Sequence, residues 1–294
     1  MAQLAASPSI PRKRVDLSGL LGYVLVTPPL LIMIFLIFLP ALQAVVRTLW
    51  TSQIEGGPAT FSLIRYTGFF DDPIARANLW FTAWITVATV IMLFVVCFPL
   101  ALYLRFSNSR IAGAVQVLVL FPLFVPSIIL AFALIRFLGP RGTLQTVLEL
   151  MGIMGYKTPY LKASGIVIGL LWDNIPFTVL VLTAGLRGVE NPLLESAQDV
   201  GANAWQVFWR IILPLIQRPL LIAFCLNVIG IFGAFTIPYL LGPAQPQMMG
   251  VFMLQTYSEY LDKIGAETQA VITFLFCALV GILYVRTIVK QGVR

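Results

Sequence analysis

The chain has 294 residues, of which 59% are hydrophobic and only 11% are charged, and its formal net charge is +7. Average soluble domains contain roughly 25% charged residues, so this composition excludes an ordinary soluble globular protein. The sequence contains no histidine, which excludes serine–histidine and cysteine–histidine catalysis and histidine-based zinc sites. We therefore expect no catalytic residues and no metal site in this chain.

Long uncharged runs are the main structural signal. Residues 17–46, 77–104 and 111–135 contain no charged side chain. A transmembrane helix needs about 20 predominantly apolar residues at a rise of about 1.5 Å each. The sequence therefore predicts six spans, near residues 18–46, 78–104, 112–135, 163–186, 219–241 and 268–285.

The distribution of charge predicts the orientation of these spans. With six spans both chain ends lie on one side, where the tails and loops carry eleven basic and four acidic residues. The segments on the other side carry eight basic and seven acidic residues. Because basic residues are enriched on the cytoplasmic side, we expect cytoplasmic tails at residues 1–17 and 291–294 and a six-helix domain at 18–290. The positive charge then reflects topology, and nucleic-acid binding is not expected.

Two segments outside the spans have their own patterns. Residues 143–154 have apolar side chains at helical spacing and predict an amphipathic helix between the third and fourth spans. Residues 219–260 carry a single charge at Glu259, which is too much apolar sequence for one helix, and proline interrupts it at Pro238, Pro243 and Pro246. We expect residues 244–257 to be a periplasmic or re-entrant segment shielded by protein, because irregular backbone is not tolerated in lipid.

The polar loop at residues 187–218 predicts a first short helix. Asn191 is a suitable N-cap and Pro192 suits the first helical position, so a helix is expected to run to about Val200. Helical spacing predicts one apolar and one polar face, formed respectively by Leu193, Leu194, Ala197 and Val200 and by Glu195, Gln198 and Asp199.

A second helix is predicted after a glycine. Gly201 fits the left-handed conformation that ends a helix, and Asn203 is expected to cap the next one, which Pro214 interrupts. This helix carries apolar side chains at Trp205, Phe208, Ile211 and Ile212. A helix–glycine–helix elbow with an apolar face is a shape that a soluble partner can hold as a rigid body.

Asp173 is the one carboxylate placed deep within a predicted span. A charge at the bilayer centre costs roughly 2.5–3.5 kcal/mol on insertion scales, so we expect it to face the bundle interior. Two interpretations remain open: a polar element of a translocation path or its gate, and a residue satisfied by interhelical hydrogen bonds. Further candidates for the path, each with helix packing as the alternative, are Asn174, Asn227, Phe235, Thr236 and Tyr239.

The loop also carries a recognisable residue order. A glutamate, an alanine two positions later, a glycine and an I-x-L-P ending occur at Glu195, Ala197, Gly201 and residues 211–214. This order resembles the cytoplasmic EAA loop of permease subunits of binding-protein-dependent ABC importers. In that family the loop forms two short helices that dock into a groove of the ATPase. The resemblance therefore implies a coupling role for Glu195, Ala197, Asp199, Gly201, Ala202, Leu213 and Pro214.

The resemblance covers roughly residues 75 to 290, with similar stretches at residues 120–131, 142–152, 169–176 and 232–242. It looks closest to permeases of the polyamine, ferric-ion and aminoethylphosphonate type. The chain departs from the pattern at Ser196, where the motif has alanine. It also has Ala234 where polyamine-type members often carry an acidic residue.

The resemblance implies an all-α integral membrane protein with six transmembrane helices, of the type I ABC importer permease fold, in the bacterial cytoplasmic membrane. It implies passage of a small polar solute, polyamine-like, phosphonate or related. The implied partners are ABC ATPase subunits, a second permease, homologous or identical, and an extracytoplasmic solute-binding protein. The chain has no GxxxxGK[ST] motif, so we expect no cofactor here and expect ATP and Mg²⁺ to be used by the partner ATPase. The alternatives are a secondary-active transporter and a polytopic membrane enzyme.

Overall fold

The structure is a computed structural model that describes residues 17–51, 58–107 and 109–289. Within these residues, six helical segments are long and apolar enough to cross a membrane: Gly22–Leu49, Pro73–Phe106, Ser127–Leu150, Ala163–Arg187, Ala204–Phe232 and Lys263–Arg286. The predicted fold class, an all-α protein with six membrane-spanning helices, is thereby confirmed. Apart from Leu17, the predicted tails at residues 1–17 and 291–294 lie outside the described residues.

The described helices follow one another with few long connections. In chain order they are α1 Leu17–Met33, α2 Leu39–Leu49, α3 Ile64–Asp71, α4 Pro73–Phe106, α5 Ile111–Leu120, α6 Ser127–Leu138, α7 Thr143–Leu150, α8 Ala163–Arg187, α9 Asn191–Asp199, α10 Ala204–Val207, α11 Leu213–Phe232, α12 Thr236–Leu241, α13 Met249–Ser258 and α14 Lys263–Val289. A π-helical turn at Ile34–Phe38 joins α1 to α2. Two-residue strands β1 Trp50–Thr51 and β2 Thr60–Phe61 pair antiparallel.

The main core lies between α4, α8 and α11. The most extensive helix pair is α4 with α8, and α11 packs against both. Apolar side chains that are fully buried at this junction include Leu93, Cys97, Leu182, Leu186 and Ile216. In a membrane such contacts hold helices together by close packing, since lipid tails are as apolar as the side chains themselves.

The first span lies apart from this core. Side chains along α1 and the turn after it are largely exposed, among them Tyr23, Leu25 and Leu36. At its far end, α2 packs against α14, where Arg47 forms a 2.7 Å salt bridge with Glu267. An exposed apolar helix of this length is suited to hydrocarbon rather than to water.

The third predicted span, residues 112–135, is interrupted in the structure. Helix α5 ends at Leu120, a 3₁₀ turn follows at Phe121–Phe124, and α6 begins at Ser127. Prolines at 122 and 126 lack the backbone N–H that a continuous α-helix needs, which explains the break. A helix is present where the amphipathic helix was predicted at residues 143–154, as α7, Thr143–Leu150. It forms the end of the third candidate span, Ser127–Leu150, so its location between the third and fourth spans stays a prediction.

The fifth predicted span, residues 219–241, is shifted in the structure. Its helical segment starts earlier, at Ala204, and ends at Phe232, after which α12 begins a new short helix. Three residues, Gly233 to Phe235, separate these helices. The break places Ala234 and Phe235 in a non-helical turn, where both residues line a cavity.

The segment predicted as periplasmic or re-entrant, residues 244–257, contains most of α13 and is partly covered by protein. Met249 and Phe252 are buried within it. The backbone before α13 is satisfied by two side chains of α4, since Asn78 Oδ1 accepts from Gln247 N and Thr82 Oγ1 accepts from Met249 N, both at 2.8 Å. These bonds pair two backbone groups that lipid leaves unpaired, and shielding of the whole segment stays a prediction, since residues 244–246 are exposed. Its location on the periplasmic side stays a prediction.

Candidate functional site

Asp173, the intramembrane carboxylate, connects two helices. It lies on α8 and is half-buried. Ser127 Oγ donates a 2.9 Å hydrogen bond to Asp173 Oδ1. Ser127 is the first residue of α6, directly after the proline break, so the bond joins α8 to the point where the α5–α6 segment is interrupted. Ser127 was not among the predicted path residues, and its signals in the sequence are its position after Pro126 and within the stretch 120–131.

A cavity of about 200 Å³ opens beside this hydrogen bond. Four of the predicted path residues line it: Asp173, Asn174, Phe235 and Thr236. Ala234 lies on the same wall. Residues from α8, from the start of α6 and from the α11–α12 break are therefore brought together around one cavity of mixed polar and apolar lining.

Aromatic rings extend from the edge of this cavity. Phe235 stacks on Tyr239, with ring centroids 5.3 Å apart and planes 24° apart. Tyr239 itself is exposed and does not line the cavity. Asn174 is tied to its own helix, because its Nδ2 donates to the Leu170 carbonyl at 2.8 Å.

Asn227, the remaining predicted path residue, is enclosed between helices. Its side chain is 1% exposed. Its Nδ2 donates to Thr178 Oγ1 at 3.0 Å and to the Ala223 carbonyl at 2.8 Å. Thr178 Oγ1 in turn donates to the Asn174 carbonyl at 2.8 Å. Asn227 is thus linked to the cavity wall through Thr178, and a direct role in the path stays a prediction.

The first loop helix is α9. Leu194 and Ala197 are half-buried and pack against the main core. Leu193 and Val200, which were assigned to the same apolar face, are exposed, and Val200 is 85% exposed. The core of this chain therefore covers only part of the predicted apolar face, because one narrow side of so short a helix reaches it.

The start of α9 differs from the prediction. Asn191 does not act as a side-chain N-cap, because the structure places it inside the first turn and its Oδ1 accepts from Arg105. The other end agrees with the prediction. Gly201 has φ +85°, its N–H donates to the Gln198 carbonyl, and Ala202 N–H donates to the Ala197 carbonyl. This pair of bonds is the Schellman ending of a helix, for which glycine is favoured.

The second loop helix starts as predicted. Asn203 Oδ1 accepts from Gln206 N at 2.8 Å, and Gln206 Oε1 accepts from Asn203 N at 3.0 Å. These reciprocal bonds form a capping box, which satisfies two free N–H groups at the helix start.

The helix is not interrupted at Pro214, contrary to the prediction. A π-helical turn at Phe208–Ile212 leads directly into α11, so that Ala204–Phe232 is one helical segment. Pro214 lies inside this continuous segment, directly after the π-helical turn. Local π-helical adjustments of this kind accommodate the missing N–H of a proline within a membrane helix. Leu213 is half-buried and Pro214 is exposed on this segment.

The outward side of the loop combines carboxylates and aromatic rings. Glu195, Asp199 and Gly201 are exposed. Trp205 is 69% exposed, and its ring lies 5.4 Å from that of Trp209. Large exposed apolar side chains next to charges are typical of a protein interface.

The comparisons with known proteins agree with this geometry. The family described as binding-protein-dependent transport system inner membrane component matches residues 97–291. The chain is 29% identical over 261 residues to the spermidine/putrescine transport system permease protein PotB of Haemophilus influenzae, covering 86% of this chain and 89% of PotB. It is 27% identical over 286 residues to the sulfoquinovosyl glycerol transport system permease protein SmoG of Agrobacterium fabrum, covering 92% of this chain and 90% of SmoG.

Solved structures show the same fold. A chain of a bacterial alginate ABC transporter, crystallised with an alginate pentasaccharide-bound periplasmic protein, superposes with a TM-score of 0.76 at 18% identity, covering 91% of this chain and 93% of that one. A chain of the methionine ABC transporter MetNI in an inward-facing conformation superposes with a TM-score of 0.55 at 21% identity, covering 74% of this chain and 95% of that one. The predicted type I ABC importer permease fold is confirmed. With the family match spanning most of its length, this chain belongs to the inner membrane components of binding-protein-dependent transport systems.

Proposed function

We propose that this permease subunit forms part of the passage for a small polar solute, and that the cavity beside Asp173 lies on that passage. The observation that carries the proposal is the Asp173 carboxylate at the cavity wall, held by Ser127 from another helix. A carboxylate at membrane depth is costly unless it faces protein or water, and such residues commonly mark solute pathways. The proline break before Ser127 and the break at Gly233 border the same space.

The charge of the cavity favours a solute that bears an amine. In the part of the chain that the structure describes, no Lys or Arg forms a salt bridge with Asp173. Ala234 on the same wall lacks the acidic side chain that polyamine-type permeases often carry, which counts against a polyamine and leaves Asp173 as the one carboxylate among the lining residues. The Phe235–Tyr239 pair at the edge offers ring faces to a cation. The name of the relative PotB, a spermidine/putrescine permease, supports the same class.

The passage works within a larger complex. We propose ABC ATPase subunits, a second permease and an extracytoplasmic binding protein as partners, with ATP and Mg²⁺ bound by the ATPase and no catalysis by this chain. The exposed side of residues 187–218, with Glu195 and Gly201, is the proposed ATPase contact. Both termini are proposed to lie in the cytoplasm of a bacterial cell, with the six spans in its inner membrane. Family membership supports this assembly over a secondary-active transporter.

The test is solute uptake by the complete complex in proteoliposomes, supplied with spermidine, putrescine or aminoethylphosphonate. Asp173→Asn keeps the shape of the side chain and its bond from Ser127, and removes only the charge. We expect amine uptake to fall on the order of tenfold, the factor that corresponds to about 1.4 kcal/mol, with unchanged abundance of the complex. The matched control is Asp71→Asn, since Asp71 is an exposed carboxylate away from the cavity.

Two outcomes contradict the proposal. Normal amine uptake by Asp173→Asn removes the carboxylate from the passage. Uptake that proceeds without ATP, driven by an ion gradient alone, removes the importer mechanism.

A further inference from the structure

One arginine joins the cytoplasmic-side end of α4 to the start of the loop at residues 187–218. Arg105 lies in the last turn of α4 and is half-buried. Its Nε donates to the Leu186 carbonyl at 3.2 Å. Its Nη2 donates to the Val189 carbonyl at 3.0 Å and to Asn191 Oδ1 at 2.9 Å. A single side chain therefore bonds to the end of α8, to the turn after it and to the first turn of α9.

The chemistry of this contact depends on the guanidinium group. The last carbonyls of a helix such as α8 lack intrahelical partners and carry a partial negative charge. Arginine presents several N–H donors in a rigid planar fork, so it can bond to three acceptors at fixed angles. Lysine carries the same charge but has no fork. Both Leu186 and Val189 are buried in the main core, which holds the acceptors in place.

A second contact ties α4 to the other half of the loop. Phe98, about two turns before Arg105 on α4, packs its ring edge-on against Phe208, with centroids 5.6 Å apart. Phe208 is the first residue of the π-helical turn that follows α10. Helix α4 thus contacts the loop on both sides of the Gly201 elbow, through Arg105 before it and through Phe98 after it.

Helix α4 is also joined to the helix that carries the cavity carboxylate. It packs along α8, and Cys97 Sγ lies 3.9 Å from the Ile175 carbonyl, two residues from Asp173. A displacement of the loop that moves α4 therefore also moves α8, which forms part of the cavity wall.

We infer that Arg105 is a positioning residue that fixes the start of α9 against α4, so that movement of the loop is passed to α4 and α8 together. This inference rests on the proposed coupling role of the loop. Arg105 acts through α9 and contacts neither the solute nor the ATPase. It accounts for the orientation of Asn191, whose side chain bonds to Arg105 instead of capping its own helix.

The test measures solute transported per ATP hydrolysed in the complete reconstituted complex, together with the abundance of that complex. For Arg105→Ala we expect this ratio to fall on the order of tenfold, because three bonds to a charged group are lost. Arg105→Lys keeps the charge, and we expect a ratio between those of the wild type and Arg105→Ala at normal abundance. Asn191→Ala removes one bond, and we expect a fall of about twofold. The matched control is Arg110→Ala, since Arg110 is an exposed arginine a few residues further along.

Each outcome decides the inference. The inference is overturned if Arg105→Ala transports as much solute per ATP hydrolysed as the wild type. It is also overturned if Arg105→Ala has low abundance while Arg105→Lys transports as much solute per ATP as the wild type, because the side chain then serves stability alone. If Gly201→Val and Glu195→Lys in the loop keep full transport, the coupling role of the loop itself fails. If these loop variants lose transport while the Arg105 variants keep the ratio, only the present inference fails.

Discussion

Gly185 on α8 lies so close to Pro219 on α11 that a Cβ atom at position 185 would stand 2.5 Å from the Pro219 Cβ. Gly185 precedes the loop at residues 187–218 and Pro219 follows it. The two ends of the loop are therefore held side by side, at a distance that only glycine permits. Membrane helices commonly approach one another closely at such small residues.

Gly185→Ala is expected to destabilise this helix pair. The added methyl group overlaps the Pro219 ring, and overpacking of this kind costs typically about 1–3 kcal/mol. The thermal stability of the detergent-solubilised complex, followed by size-exclusion chromatography after heating, is expected to decrease. Gly113→Ala is the control, because a Cβ atom at Gly113 in α5 meets nothing within 4 Å. Equal stability of the two variants contradicts the close contact.

Gly201→Val and Glu195→Lys are expected to abolish coupling without affecting membrane insertion. Gly201 has φ +85°, a conformation that costs a non-glycine residue roughly 1–2 kcal/mol, and valine adds β-branching. Glu195→Lys reverses an exposed charge at the proposed contact with the ATPase. Both variants are expected to lose transport and solute-stimulated ATP hydrolysis by the partner.

Ser196→Ala is the control for these loop variants. It restores the alanine of the EAA pattern and removes only an exposed hydroxyl that donates to the Pro192 carbonyl. We expect normal transport from it. Full transport by both Gly201→Val and Glu195→Lys means that the loop is an ordinary linker.

Asp173→Leu is expected to reduce uptake while the complex still assembles, because the cavity loses its carboxylate. Ser127→Ala leaves that carboxylate without its 2.9 Å donor, and we expect a smaller loss, on the order of threefold, for one hydrogen bond. Uptake and purified yield are measured for both variants. If Asp173→Leu lowers the yield and leaves the uptake per complex unchanged, Asp173 is a structural residue.

The orientation of the chain is tested by labelling single cysteines from outside the cell, after the native Cys97, Cys225 and Cys277 have been replaced. We expect labelling of Glu149→Cys and Asp262→Cys, and protection of Gln198→Cys and Gly292→Cys. The reason is the excess of basic residues on the side of the termini. External labelling at position 292 contradicts the proposed topology.

Features set by neighbouring residues were predicted correctly from the sequence. The six spans follow from uncharged runs, because hydrocarbon requires about 20 apolar residues in succession whatever the packing partner is. The left-handed Gly201 and the cap of the second loop helix by Asn203 involve residues at most a few positions apart. Such local bonds need no distant partner, so a residue pattern can predict them where no other contact takes up the side chain.

Features that depend on distant residues were decided by the packing of the helices. Asn191 bonds to Arg105, which is far away in the chain. The sequence by itself determined a six-span membrane protein with a helical elbow after the fourth span. Only the tertiary structure brought Ser127, Asp173 and Ala234 to one cavity, because helices with uniformly apolar surfaces carry no sequence signal for which sides meet.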